Sequence, residues 1–275
     1  MLGKLFLVAT PIGNLDDMTF RAIKVLKETD LIAAEDTRHT LQLLNHFEIS
    51  KPMISYHRHN EEIKTNILIQ KLKEGQNVAL VSDAGTPGIS DPGSEIVKEA
   101  IKEGIDIVPI PGACALINAL ISSGLNTEEF SFIGFLPLNK KNRKEKLEFI
   151  KKCNQTLILY EAPHKIKNTL NDLQEFVGDR KITLAREITK IHEEFIRGNI
   201  NEVLDKIEEP RGEFVILIEG NKEDCTNEEI ILSSLTVEEH YKFYEKQGIS
   251  KKDIIKLIAK DRNVPKNEIY QLFLD

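Results

Sequence analysis

Cysteine is scarce in this sequence, and long apolar runs are missing. The three cysteines, Cys114, Cys153 and Cys225, are widely spaced, so they form neither a disulfide framework nor a pair of metal ligands. We therefore expect reduced thiols and a cytoplasmic protein. No apolar run reaches the roughly 18 residues that a membrane-spanning helix needs. The short apolar stretch before Pro11 and Gly13 is interpreted as a first strand, not as a signal peptide.

An excess of positive charge is also missing, because the formal net charge is −7. This argues against a protein that coats nucleic acid without selection. Residues 139–152 nevertheless contain seven Lys or Arg against two Glu, and residues 242–266 contain eight against three acidic residues. Contacts from Lys140, Lys141 and Arg143 to phosphates would bind RNA without reading its sequence. A solvated helix face explains either stretch equally well.

Two phosphate-binding motifs are absent as well. No glycine loop has the GxxxxGK[ST] pattern, in which a lysine meets the phosphates. The GxGxxG dinucleotide pattern does not follow the first strand, because residues 9–14 contain a single glycine. Asp36 has the spacing of a ribose-binding acid, but that spacing alone gives a nicotinamide enzyme little support.

Strand-like and helix-like runs alternate in the first part of the chain. This order predicts a mostly parallel sheet covered by helices. Three loops rich in glycine or proline, residues 9–14, 82–93 and 110–115, each follow a predicted strand. Ligands bind at this edge of such sheets, so we expect the three loops to form one pocket.

The later part of the chain has a different organisation. Five strand-like runs with helices among them predict a second α/β domain with a mixed sheet. A polar stretch follows Gly220, and the last residues are predicted to form three short helices. The predicted domains are residues 1–115, residues 116–220, and a linker with a small helical domain at residues 221–275.

The loops suit a ligand that has adenine and ribose but no phosphate, such as S-adenosylmethionine. Glycines let the main chain approach the ribose and methionine parts, and carbonyl groups can contact the methyl through weak CH···O interactions. Asp83 is a candidate acceptor for the amino group or the ribose hydroxyls. The alternative is that Asp83 and Asp91 form Asx turns that shape the loop.

Seven motifs occur in order: VATPIGNLDDMTFRAIKVLKETDLIAAEDTRHT, SDAGTPGISDPG, PIPGACALINAL, FIGFLP, LYEAPHKI, AREITKIHEE and GEFVILIEG. They resemble the 16S ribosomal RNA (cytidine-2′-O) methyltransferase family, which has the tetrapyrrole-methylase fold. The resemblance covers about residues 4 to 220, and the tail resembles the small C-terminal helical extension of some members. It implies a homodimer of chains with two α/β domains and S-adenosylmethionine in the cleft between them. It also implies methyl transfer to the ribose 2′-hydroxyl of a decoding-centre cytidine in the small ribosomal subunit.

The resemblance also implies which residues contact the cofactor. From the first domain they are Pro11, Ser82, Asp83, Ala84, Gly85, Ser90, Cys114 and Ala115. The motifs LYEA and LAREI, with Tyr160 and Ala185, would form the wall from the second domain. The family ends the third loop with PG-x-S-[SA], whereas this chain has Cys114 and Ala115 at the small-residue places. A serine hydroxyl contact must therefore be absent or replaced by backbone.

A ribose hydroxyl is too weak an acid to ionise at pH 7, so a nearby base would assist. The candidates, in order of preference, are Glu161, Glu187 and Glu194. Alignment of the reacting atoms supplies rate by itself, and proton loss to solvent is the alternative. Arg186 and Lys190 share one face of an extended segment and are predicted to hold RNA phosphates, or else to join an internal ion-pair cluster.

Histidines and arginines also follow two early strands. His57 and His59 would share one strand face with Asp36 nearby, but a metal site needs a further ligand and a supporting shell. We therefore predict no metal. Arg38, His57 and Arg58 are predicted to contact RNA phosphates, with a solvated rim as the alternative.

Two other functions remain open. A methyltransferase of the same fold could act on a tetrapyrrole precursor, but a small substrate gives the basic stretch and the tail no role. A non-catalytic RNA-binding factor in ribosome assembly is the other alternative, and the intact glycine loops argue against it.

Overall fold

The computed structural model describes residues 1–208, 210–221, 235–262 and 264–273. The chain divides into two compact units, Met1–Gly220 and Asn221–Asp275. Cys114 and Cys153 are free thiols, whereas Cys225 and most of the predicted linker lie outside the described residues. Within the described ranges, no helix is long and apolar enough to cross a membrane.

The first part of the larger unit is a parallel sheet, as the alternation of runs predicts. Its strands pair in the order β3-β2-β4-β1-β5, and every pair is parallel. The elements are β1 (Leu5–Val8), α1 (Phe20–Glu28), β2 (Leu31–Ala34), α2 (Thr37–His46), β3 (Met53–Ser55), α3 (Glu61–Lys73), β4 (Val78–Val81), α4 (Ser94–Lys102) and β5 (Ile107–Ile110).

Helices cover both faces of this sheet, which explains the composition of its inner strands. The runs LIAA of β2 and VALV of β4 are buried at every position, because neither strand has a face toward water. Leu68 and Leu72 of α3 pack with Ile96 of α4 on one face. Leu26 of α1 and Leu44 of α2 pack on the other. The sheet is thereby fixed between two helical layers, and its strand ends are left to form a site.

The second part of the larger unit is a mixed sheet, also as predicted. Its order is β6-β7-β10-β8-β9, with β6 and β7 parallel and the other pairs antiparallel. The elements are α5 (Ala115–Ile121), β6 (Phe130–Gly134), α6 (Lys140–Lys152), β7 (Thr156–Glu161), α7 (Ile166–Val177), β8 (Lys181–Arg186), β9 (Glu194–Asn199), α8 (Ile200–Lys206) and β10 (Phe214–Ile218).

Helices also lie on both faces of the second sheet. Leu116 and Leu120 of α5 pack against Val215 and Leu217 of β10, while α6, α7 and α8 cover the opposite face. Strand β10 is central and buried at every position. Helix α5 therefore belongs with the second sheet, although it directly follows the third glycine- or proline-rich loop, residues 110–115.

The described residues of the smaller unit form three helices, as predicted for the tail: α9 (Val237–Glu245), α10 (Lys251–Asp261) and α11 (Lys266–Gln271). The Ser250 side chain caps α10 by accepting a hydrogen bond from the Asp253 N–H. Ile254, Ile258 and Ile269 are buried together in a small apolar core. Apolar side chains at helical spacing thus give this unit a core of its own.

Candidate cofactor pocket and active site

A cavity of about 520 Å³ lies where the two sheets of the larger unit meet. From the first sheet it takes residues at the carboxyl ends of the strands, including Glu35 after β2 and the loop after β4. From the second sheet it takes Phe135 after β6, residues 160–163 at the end of β7, and residues 213–215 at the start of β10. Its volume is typical of a site for a small molecule or cofactor.

The long loop after β4 is locked to the loop after β1. Thr10 N–H donates to the Gly85 carbonyl at 2.9 Å, and Gly85 N–H donates back to the Thr10 carbonyl at 3.0 Å. The Thr10 hydroxyl donates to the Ser82 carbonyl at 3.2 Å. Gly85 has φ +82° and Ser90 has φ +66°, a region that glycine adopts without strain but serine rarely does. The Arg58 guanidinium donates to the Ser90 carbonyl and so supports this strained residue.

Seven of the ten predicted cofactor residues line the cavity: Asp83, Ala84, Gly85, Ser90, Cys114, Ala115 and Tyr160. Pro11, Ser82 and Ala185 do not. The Ser82 hydroxyl donates to the Gly85 carbonyl at 3.3 Å, so it stabilises the loop from inside. Ala185 is completely buried in the apolar layer beneath α5. Pro11 precedes Ile12, which does line the cavity. Cofactor contact by the seven stays a prediction.

Carboxylates line the cavity at the ends of β2 and β4. Asp83 N–H donates to Glu35 Oε2 at 3.4 Å, while Asp83 Oδ1 accepts from the Asp36 N–H at 3.0 Å. Burial raises the pKa of Glu35 above its usual range. Burial, together with the nearby charge of Glu35, raises the pKa of Asp91 to about 6. Glu35 was missed in the sequence analysis, although its position directly after a parallel strand indicated a place in the site. Asp91 was considered there only as a residue that forms a turn.

Glu161 is the one of the three predicted base candidates that lines the cavity. It ends β7 and is 5% exposed. Its Oε1 accepts a hydrogen bond from the Ala162 N–H at 2.9 Å, and its Oε2 accepts one from the Thr169 hydroxyl at 2.6 Å. These two hydrogen bonds offset the cost of burying the carboxylate beside the cavity.

Glu187 and Glu194 lie outside the lining, so we do not retain them as bases. Glu187 Oε1 accepts from Lys190 Nζ at 2.9 Å and from the Glu213 N–H at 2.9 Å. Burial favours its neutral form, but these hydrogen bonds outweigh burial and lower its pKa. Glu194 pairs with Arg186 at 3.3 Å. Arg186 and Lys190, predicted to hold phosphates, thus belong to ion pairs, which was the alternative interpretation.

Two further predicted RNA contacts are also engaged within the chain. Arg143 Nε pairs with Asp172 at 2.7 Å and is turned inward. Arg38, which is exposed, pairs with Asp36 at 2.7 Å. The hydrogen bond from Arg38 lowers the pKa of Asp36. Asp36 also accepts from the Arg38 N–H and so caps α2, a local role that explains its place without a ribose ligand.

The remaining predicted RNA contacts lie in two places. Lys140 and Lys141 are exposed at the start of α6. Arg58 reaches the Ser90 carbonyl in the loop after β4, while His57 Nε2 lies 3.1 Å from Asn60 Nδ2. The rings of His57 and His59 are 6.0 Å apart. Across the part of the chain that the structure describes, no three His, Cys, Asp or Glu side chains are grouped to hold a metal ion.

Comparison with known proteins gives a consistent result. A family model described as Tetrapyrrole (Corrin/Porphyrin) Methylases matches residues 4–204. The ribosomal RNA small subunit methyltransferase I of Halalkalibacterium halodurans is 52% identical over 273 residues, which cover 98% of this chain and 94% of that protein. The Bacillus subtilis protein of the same name is 51% identical over 99% of this chain and 94% of its own length.

Solved structures share the fold at lower identity. Uroporphyrin-III C-methyltransferase from Thermus thermophilus, complexed with S-adenosyl homocysteine, is 20% identical with a TM-score of 0.56, and the match covers 78% of this chain and 97% of that one. A diphthine synthase is 18% identical with a TM-score of 0.60, over 79% of this chain and 90% of its own.

The paired sheets, the cavity between them and the matching family model define a methyltransferase of the tetrapyrrole-methylase class. Enzymes of this class take their methyl group from S-adenosylmethionine. The identity over nearly the whole chain goes further: the chain belongs to the ribosomal RNA small subunit methyltransferase I family.

The residues that line the cavity fit this cofactor. Five carboxylates line it, and no Lys or Arg does so within the described residues, which suits a ligand with a sulfonium and an ammonium group. At Gly85 a Cβ atom would lie 3.2 Å from Ile12 Cγ2, so the backbone there is closely packed. Phe135 and Tyr160 add apolar surface suited to an adenine ring.

Proposed function

We propose that the protein transfers the methyl group of S-adenosylmethionine to the ribose 2′-hydroxyl of a cytidine in 16S rRNA. The observation that carries this proposal is the buried Glu161 carboxylate on the wall of a cavity built from the cofactor loops. The 52% identity to a small-subunit rRNA methyltransferase over 98% of this chain supports rRNA as the substrate. The cytidine and the 2′-oxygen follow from the sequence resemblance.

When bound, S-adenosylmethionine supplies an electrophilic methyl group on a positively charged sulfur. The backbone of the loop after β4, around Gly85, is proposed to contact its ribose and methionine parts. Glu35 and Asp91 would favour its positive charges, and Tyr160 would contact its apolar surface. The walls from the two sheets would limit the access of water to the reacting atoms.

Glu161 is proposed as the general base. Each carboxylate oxygen already accepts one hydrogen bond, and a carboxylate has further lone pairs free. It can therefore accept the 2′-hydroxyl proton while the ribose oxygen bonds to the methyl carbon and the sulfur–carbon bond breaks. Proton removal during attack avoids a free oxyanion, an effect typically worth about 10²- to 10⁴-fold in rate.

Helix α6 is proposed to contact the RNA backbone. Phe135 lines the cavity, and α6 begins a few residues later at Lys140. Lys140, Lys141 and Lys144 are exposed there, so their charges lie close in sequence to the cavity wall. Such contacts would position the target nucleotide rather than select its sequence. Arg58 and Arg38 supply further positive charge near the strand ends.

Dimerisation and location complete the proposal. The resemblance implies a homodimer, and two apolar residues of α5, Ile117 and Ile121, are exposed at helical spacing. Light scattering coupled to size-exclusion chromatography tests the dimer. A cytoplasmic location follows from a ribosomal substrate, and fractionation of cells tests it.

Transfer of labelled methyl tests the function directly. Free 16S rRNA and unmethylated small subunits serve as parallel acceptors, and ribose-methyl mapping locates the product. We expect a single cytidine 2′-oxygen. Glu161→Gln should lower kcat by about 10²-fold or more with unchanged cofactor affinity, while Glu194→Gln, a carboxylate outside the cavity, serves as the control. Transfer to a tetrapyrrole precursor but to neither RNA would contradict the proposal, and so would a fully active Glu161→Gln.

A further inference from the structure

A directed chain of hydrogen bonds leads from helix α6 to the Glu161 carboxylate. The Thr169 hydroxyl donates to Glu161 Oε2 at 2.6 Å, and Arg143 Nη2 donates to the Thr169 hydroxyl oxygen at 2.9 Å. Arg143 Nε in turn donates to Asp172 Oδ2 at 2.7 Å. Thr169 is 1% exposed, so little water competes for the two bonds at its hydroxyl.

The donors in this chain can be assigned without ambiguity. A guanidinium has N–H donors and no acceptor, so the Thr169 oxygen must accept from Arg143. The hydroxyl proton of Thr169 is then left for Glu161. The Ala162 N–H is a donor as well. Every hydrogen bond that the structure shows to this carboxylate therefore stabilises its ionised form.

The geometry also fixes the carboxylate in one orientation. Asp172 and Thr169 lie on α7 one turn apart, and both hold the Arg143 guanidinium of α6. Paired contacts of this kind restrict the plane of a guanidinium. Because Arg143 donates to the Thr169 oxygen, the Thr169 hydroxyl proton is directed to the acceptor that the structure shows for it, Glu161 Oε2.

We propose that Thr169 and Arg143 are positioning residues that hold the Glu161 carboxylate ionised and oriented to accept the ribose proton. The role rests on the proposed function, because Glu161 needs this orientation only as the base in methyl transfer. Neither residue is part of the described cavity lining, so both act through Glu161. Arg143 belongs to the lysine-rich helix α6, so the helix proposed to bind RNA also supports the base.

Thr169→Val tests this role, because valine keeps the volume and removes the donor. We expect kcat to fall about 10- to 100-fold, the range for one hydrogen bond to a charged group. The KM for small subunits and the Kd for S-adenosylmethionine should stay within about twofold, since Thr169 touches neither ligand. The acid limb of the plot of kcat against pH should move to higher pH, because a carboxylate that loses a hydrogen-bond donor is less stable in its ionised form. Thr169→Ser should recover most of the lost activity, and Arg143→Gln should lower kcat to a smaller extent.

Thr183→Val is the matched control. Thr183 is also 1% exposed, but its hydroxyl donates to the Ser123 carbonyl at 2.9 Å and not to a carboxylate. It should lose stability comparably while keeping the wild-type pH profile. Equal losses of kcat in the two valine variants, or an unmoved acid limb in Thr169→Val, would overturn the positioning role. An inactive wild type would instead overturn the proposed function itself.

Discussion

Replacing Asp91 by Asn should stabilise the cofactor-free protein and weaken cofactor binding. Asp91 lies on the cavity wall, and the carboxylates of Glu35 and Asp83 lie near enough to repel it. Burial and this repulsion raise the pKa of Asp91 to about 6, so its charge is unfavourable in the empty site at pH 7. Asparagine has a similar shape and no charge to desolvate.

The size of the effect follows from linkage between protonation and folding. An unfolded aspartate has a pKa of about 3.9, and a shift of one pKa unit corresponds to about 1.4 kcal/mol. The charge of Asp91 therefore lowers the free energy of unfolding at pH 7 by at most about 3 kcal/mol. Asp91 is only partly buried, and solvent screening reduces the effect to about 1 to 1.5 kcal/mol.

The sign of the pH dependence is also fixed. The folded protein binds the extra proton between about pH 4 and pH 6. The wild-type free energy of unfolding should therefore fall as pH rises through that window, because of this group, and the fall should be absent in Asp91→Asn.

Urea unfolding followed by circular dichroism measures the difference at pH 7 and at pH 4. We expect Asp91→Asn to be the more stable protein at pH 7 and equal to wild type at pH 4. Calorimetric titration with S-adenosylmethionine at pH 7 should show affinity reduced about tenfold, as for loss of a charged partner. Asp17→Asn, which removes an exposed carboxylate, is the control. Equal stability of wild type and Asp91→Asn at pH 7, or the same gain at both pH values, would refute the reasoning.

Three further predictions address other parts of the chain. Gly212→Ala should lower the free energy of unfolding by at least about 2 kcal/mol in urea titrations, because Gly212 has φ +81° and a Cβ would lie 2.3 Å from Glu187 Cδ; unchanged stability would contradict this. The double change Lys140→Ala and Lys141→Ala should weaken binding of all RNA sequences alike. It should also reduce the slope of the logarithm of the RNA-binding constant against the logarithm of salt concentration by up to about 2. Fluorescence anisotropy measures both effects, and a sequence-dependent loss would argue for base contacts. His240 is buried, and desolvation lowers its pKa. The smaller unit should therefore lose stability as pH falls below the ordinary histidine pKa of about 6.5. Hydrogen exchange measures this loss, which should be absent in His240→Asn.

The elements of the fold were accessible from sequence because their signals are local. Runs such as LIAA and VALV are fully apolar, which fits strands covered on both faces, and turn residues separate them from amphipathic runs. The three loops could be assigned to one site because the ends of parallel strands share an edge. The mixed character of the second sheet was likewise readable from the density of strand-like runs.

The roles of individual polar side chains depended on partners far away in the chain. Arg143 stands among lysines and resembles an RNA contact, yet Asp172 and Thr169, which lie on a different helix, turn it inward. Glu161 ends a strand and Glu187 follows one, but only Glu161 faces the cavity. Lys190 and the Glu213 N–H hold the Glu187 carboxylate outside the cavity lining. Such contacts have no local sequence pattern.

The bonds between Thr10 and Gly85 have a consequence for the order of folding. These residues are far apart in sequence, and their backbones can meet only after β1 and β4 have paired. Contacts between residues far apart in sequence form late, because closing the chain between them costs conformational entropy before the contact can stabilise the fold. A partly folded chain, in which β1 and β4 have not paired, therefore lacks a formed cofactor site. Ligand present during refolding should leave the early steps unchanged and should stabilise only the finished sheet.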